Sequence, residues 1–124
     1  MLSNKKLFLL ICTLASINFA CTHKTELTGL KEISFSSDIQ PIIGSNCTQS
    51  GCHSGGDRVF SLQSYSDVID KGGISAGNPH SSKLYQAVSN HGTANLMPPE
   101  PLPMLSNDQI KLIYVWILQG AKKN

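Results

Sequence analysis

A chain of 124 residues, 40% hydrophobic and 15% charged with a formal charge of +2, has room for one domain and excludes multidomain machinery. Its ten basic residues form no cluster interleaved with aromatics, which argues against nucleic acid as a partner. The first six residues, Met1-Leu2-Ser3-Asn4-Lys5-Lys6, are basic, and an apolar run over residues 7–15 follows. That order is the signature of a secretory signal, and the run is too short for a comfortable permanent span. Residues 1–20 are therefore expected to be a signal peptide. Asn18-Phe19-Ala20-Cys21 has the form of a lipobox, which makes Cys21 the expected lipidation site. The protein is then expected in the periplasm or cell envelope, held to a membrane by lipid. Cleavage after Ala20 without lipid and an uncleaved anchor are the alternatives. Removing residues 1–20 takes away Lys5 and Lys6 and no acid, leaving eight basic and eight acidic residues. Docking to a partner would then not be driven by a strong net field.

Residues 21–34 are polar, mixed and without apolar periodicity, and read as a flexible tether. The folded unit is expected over residues 35–124. Its first helix is expected at 37–45, with Ser36 or Ser37 as cap, Asp38 near the positive end and Pro41 tolerated in the first turn. Ile39, Ile42 and Ile43 share one face, and Gly44-Ser45-Asn46 is expected to end the helix. Residues 54–60 read as a loop. Short helices are expected at 64–70 and 81–90, with turns at 71–73 and 76–79 between them. Four prolines exclude a regular helix over 90–103. Ser106-Asn107-Asp108-Gln109 is a capping box, and Ile110, Ile113, Tyr114, Ile117 and Leu118 follow at helical spacing. Gly120 stands at a C-cap position, and Lys122-Lys123 complement the dipole. No alternating strand pattern appears, so the fold class is all-α. Short helices and long Gly/Pro loops bury too little surface alone, and something is expected to fill the middle.

Of the four cysteines, Cys12 lies in the signal and Cys21 is the lipid candidate. The other two form Cys47-Thr48-Gln49-Ser50-Gly51-Cys52-His53. Covalent haem attachment needs two thiols for the two vinyl groups, and an imidazole directly after the second so that the ring reaches iron. Four residues separate the cysteines where two are usual, and Ser50-Gly51 gives the backbone freedom to bulge. Two blander readings compete: a small disulfide with His53 in an exposed loop, or a zinc site joining Cys47, Cys52 and His53 with His80 or His91. For the second axial position on iron the candidates are Met97, Met104, His80 and His91. Met97 is favoured because Pro98-Pro99 restrict the backbone beside it, and a rigid loop suits a weak sulfur ligand.

With these residues assembled, the chain resembles the class I c-type cytochromes, and more narrowly the planctomycete-type cytochrome c domain. The resemblance rests on Asp38-Ile39-Gln40-Pro41-Ile42-Ile43, the cysteine motif, and Ser61-Leu62 with Gly72-Gly73. It continues through Gly77-Asn78-Pro79-His80-Ser81-Ser82-Lys83-Leu84, Met97-Pro98-Pro99 and Trp116-Ile117-Leu118-Gln119-Gly120-Ala121. It implies a small cytochrome c-like fold of three to five helices around one covalently bound haem c. Cys47 and Cys52 would form the thioethers, and His53 and Met97 would be the iron ligands. Trp116 would pack near the haem edge and the first helix.

A single haem with both axial sites filled offers no open position for substrate. The function expected is one-electron transfer between redox partner proteins, without enzymatic turnover. A haem-based sensor or an accessory subunit of a larger membrane redox complex is the second reading, and a haem-free metal or disulfide module the third.

Overall fold

Ile39, Ile42 and Ile43 carry the first helix into the core, and all three are buried. A computed structural model describes residues 29–56, 59–89 and 95–124. The chain enters its first helix earlier than expected, through a π-helical turn, Phe35–Ile39, that leads into α1, Gln40–Asn46. Ser34 is the cap. Its hydroxyl accepts from Ser37 N at 3.2 Å, and Asp38 Oδ2 accepts from Ser34 N at 2.8 Å. Pro41 has no amide to offer its i−4 carbonyl, consistent with the wider turn that precedes it. Helix α1 ends at Asn46, within the Gly44-Ser45-Asn46 segment expected to close it, and Ser45 Oγ and Asn46 Nδ2 fold back onto the carbonyls of Pro41 and Ile42, each at 2.8 Å.

The next helix, α2 (Tyr65–Asp70), starts at Ser64, whose hydroxyl accepts from Asp67 N. A 3-10 turn, Pro79–Ser81, precedes α3, Lys83–Ser89. Helix α3 begins later than expected because Ser82 is extended. The buried Ser82 hydroxyl is occupied by the loop, donating to Asn78 O at 3.0 Å and accepting from Ser75 N at 2.9 Å. Over 95–103 there is no helix.

The last helix, α4 (Asn107–Leu118), has both bonds of the capping box between Ser106 and Gln109. Such a cap contributes about 1 kcal/mol. Helix α4 presents Ile113, Trp116 and Ile117 to the core, where they meet Ile39, Ile43, Val68 and Val88. Phe35 ties the two ends of the unit together, its ring 5.5 Å from that of Trp116 and 5.1 Å from that of Tyr65. The described residues contain no strand, and the fold is all-α.

Residues 31–34, read from sequence as the end of a tether, are fastened to this unit. Ile33 is buried. Its amide donates to Gln119 Oε1 at 2.9 Å, while Gln119 Nε2 donates to Lys31 O at 2.9 Å. Backbone atoms satisfied by one glutamine explain why a segment without helical periodicity still packs. Residues 1–28, which include Cys12 and Cys21, lie outside the described residues. Among the described residues no helix is long and apolar enough to cross a membrane.

Candidate functional site

Helix α1 delivers Cys47 at its C-cap, where the amide still donates to Ile43 O at 2.8 Å. The chain then loops through Gly51, at φ +83°, a conformation that costs a side-chain-bearing residue roughly 1–2 kcal/mol. The loop closes on itself. His53 N donates to Cys47 O and Cys52 N to Gln49 O, both at 2.9 Å. The four residues between the cysteines are thus accommodated without disturbing the start of the motif.

Segment 60–62 runs past His53 and holds it from two sides. Leu62 N donates to His53 O at 2.9 Å, and His53 Nδ1 lies 3.0 Å from Phe60 O. A carbonyl only accepts, so that bond puts the ring proton on Nδ1 and leaves the Nε2 lone pair for another partner. The Phe60 ring lies 4.4 Å from the imidazole. Asp67 braces the same segment from α2. Its Oδ2 accepts from Ser61 Oγ at 3.0 Å and from Ser64 Oγ at 2.9 Å, and its Oδ1 pairs with Lys71 Nζ at 2.8 Å. The Lys71 hydrogen bond, followed by that of Ser64, draws the Asp67 carboxyl down to about 2.

The opposite wall comes from α3 and the proline-rich segment. Met97 N donates to Ala87 O at 2.9 Å, which ties the methionine to α3, and Pro98 beside it is buried. Between the walls lie two cavities that share Cys47, His53 and Met97. One, of ≈ 230 Å³, also meets Cys52, Val59, Pro99 and Leu102. The other, of ≈ 350 Å³, is closed by Phe60, Leu62, Leu84, Ala87 and Val88, with Lys71 and Lys83 at its margin. Taken together they fall within the size of small-molecule and cofactor sites, roughly 300–1,000 Å³.

The structure therefore brings Cys47, Cys52, His53 and Met97 to one apolar cleft. Both cysteines are free thiols. Burial, with the charge of Cys52 a smaller cause, pushes the Cys47 thiol up to about 11, so it is protonated at neutral pH. The other sequence candidates sit elsewhere. Met104 is exposed. His80 packs against Tyr85 and Tyr114, with ring centroids 5.5 and 5.8 Å away. His91 lies outside the described residues. Trp116 meets the first helix through Phe35 but is not among the residues lining the cleft. It is fully buried, and its Nε1 donates to Lys122 O at 3.0 Å. Among the described residues no three His, Cys, Asp or Glu side chains converge on a metal position.

The chain matches no protein-family model, no curated protein and no solved structure. Several of the site's residues are not marked by the sequence. The Phe60 and Ala87 carbonyls act through the backbone, which every residue type shares. Asp67 had one sequence signal, the Ser64-x-x-Asp67 spacing of a helix start, but nothing in that spacing pointed to His53.

Proposed function

We propose that this chain is an exported single-haem c-type cytochrome that carries electrons, with haem c held by Cys47, Cys52, His53 and Met97. The observation that carries the reading is the shared cleft. Two thiols and an imidazole on one wall face the same apolar space as a thioether on the other.

The donor set fits a porphyrin iron. An imidazole with Nδ1 committed to Phe60 O has its Nε2 lone pair available as a ligand. Among the candidate sulfurs, the half-buried Met97 reaches the cleft and the exposed Met104 does not. The walls are predominantly aliphatic, as a porphyrin face requires. Bound there, haem would supply one-electron exchange at iron, and imidazole plus thioether ligation favours a raised potential.

The chain's own residues hold and shield. Cys47 and Cys52 would fix the ring covalently. Segment 60–62, braced by Asp67, keeps the imidazole plane in place. Leu62, Leu84 and Val88 are buried in the cavity wall and would keep water from a ring bound there. A scaffold that holds geometry nearly constant suits electron transfer, in which no bond to substrate forms. The signal peptide over 1–20, the lipid at Cys21, and redox partners at a membrane face belong to this proposal on sequence grounds.

The test is expression in an exporting host with cytochrome c assembly machinery. A covalent haem spectrum after denaturation, and a mass increment on the peptide bearing Cys47 and Cys52, are expected. A haem-free product from a host that matures a control cytochrome would sink the reading.

A further inference from the structure

Among the described residues the two ends of the cleft differ in charge: no Lys, Arg, Asp or Glu lines the cavity that contains Cys52, whereas Lys71, Lys83 and Asn95 line the other. Neither lysine is placed by chance. The turn after α2 is clipped to the start of α3, with Lys83 N donating to Gly73 O at 3.1 Å and Leu84 N to Gly72 O at 2.9 Å. The stem of Lys83 then lies directly over Gly73. A Cβ at Gly73 would sit 2.9 Å from Lys83 Cδ and 3.1 Å from Cγ, so only glycine leaves room for that stem. Lys71 is steered by Asp67 Oδ1 at 2.8 Å, yet its side chain remains 45% exposed. Its ammonium has three donors, and Asp67 takes one. Among the described residues no carboxylate pairs with Lys83.

We propose that Lys83, with Lys71 beside it, forms an anion-binding end of the cleft that receives the two carboxylates of the porphyrin. This rests on the haem reading above. A haem carries its vinyl and propionate groups at opposite edges. Cys47 lines both cavities and Cys52 only the one without a described Lys, Arg, Asp or Glu, so thioethers at this pair would draw the vinyl edge toward the Cys52 side. The propionate edge is then directed to the lysines. Carboxylates buried against aliphatic walls without partners are costly, whereas ammonium–carboxylate hydrogen bonds are among the stronger ones available. The charge asymmetry of the cleft would thus set the orientation of the ring before the thioethers lock it.

The experiment uses the haem-loaded protein and the variants Lys83→Met, Lys71→Met, their double variant, Lys83→Arg, and Lys111→Met on α4 as a remote control. The readouts are the reduction potential and the propionate bending bands in resonance Raman spectra. Loss of a cation beside the ring favours ferric iron. Lys83→Met is therefore expected to shift the potential downward and move a propionate band. The double variant should shift both further, Lys83→Arg should restore both, and Lys111→Met should leave both unchanged. A loaded double variant with the native potential and native propionate bands would overturn this proposal alone. A chain that takes up no haem would overturn the haem reading and this proposal with it.

Discussion

His53 Nδ1 donates to the carbonyl oxygen of Phe60 at 3.0 Å, across seven residues of chain. The bond does two things. It selects one tautomer, and it orients the ring with Nε2 free for a ligand role. The partner is a backbone atom, so its availability depends on the path of segment 60–62. That path is held by Leu62 N on His53 O and by the Asp67 carboxylate on Ser61. A side chain on α2 thereby contributes to the posture of a residue outside its own helix.

Replacing Met97 by Ala in the loaded protein should abolish the absorption band of methionine-bound ferric haem and lower the potential. Met104→Ala should leave both unchanged, because Met104 is exposed and lines neither cavity. Absorption spectra of the oxidised variants check this. Loss of the band in Met104→Ala with retention in Met97→Ala would reverse the assignment.

Carbon monoxide separates a carrier from a gas sensor. With both axial positions filled, the reduced native protein should bind the gas slowly or not at all, whereas Met97→Ala should bind it readily. Stopped-flow mixing of the reduced protein reads this directly. Fast adduct formation by the native protein would favour the sensor.

Acid should weaken the brace at Asp67. Its carboxyl is drawn from an ordinary 3.8 to about 2 by Lys71 and Ser64. A depressed acid contributes stability that is present above its unfolded value and lost as pH falls toward the folded one. The stability gap between native protein and Asp67→Asn should therefore be full at neutral pH and narrow as pH drops from about 4 toward about 2. Thermal melts of both across that range test it, and a gap independent of pH would count against the brace.

Trp116→Phe should destabilise the fold while sparing the site. The substitution removes the indole bond to Lys122 O and some volume from a fully buried position, a loss on the order of 1–3 kcal/mol. In a domain of this size that lowers the melting temperature by roughly 4–8 °C per kcal/mol. The haem spectrum and potential should stay native, since Trp116 packs on Phe35 away from the cleft lining. A large change in potential at unchanged stability would instead place the indole at the haem edge.

The start and extent of helix α4 were legible in the sequence, because a capping box and a 3.6-residue apolar period are local signals and Ser106 and Gln109 lie three residues apart, but its last turn holds no basic residue and Lys122 pairs with Glu32 instead of serving the dipole. The apolar face of Ile39, Ile42 and Ile43 was legible for the same reason. The first helical turn starts two residues before the position its sequence predicts. Ser36 and Ser37 are the caps that the sequence predicts, but Ser34 has the same hydroxyl, and the reciprocal bond from Ser34 N to Asp38 makes it the cap. The packed chain begins before the boundary that its sequence predicts, because Ile33 is held by Gln119, 86 residues away.

By itself, the sequence determined the helical class, the thiol pair and imidazole within seven residues, and a methionine fixed beside prolines. Each follows from chemistry between near neighbours in the chain. Only the tertiary structure decided that Met97 and not Met104 faces Cys47 and His53, that the Phe60 carbonyl orients the imidazole, and that two lysines border one end of the cleft. Those relations are contacts between segments distant in sequence. They depend on how the helices pack around Trp116 and Ile113, and no local spacing encodes that packing.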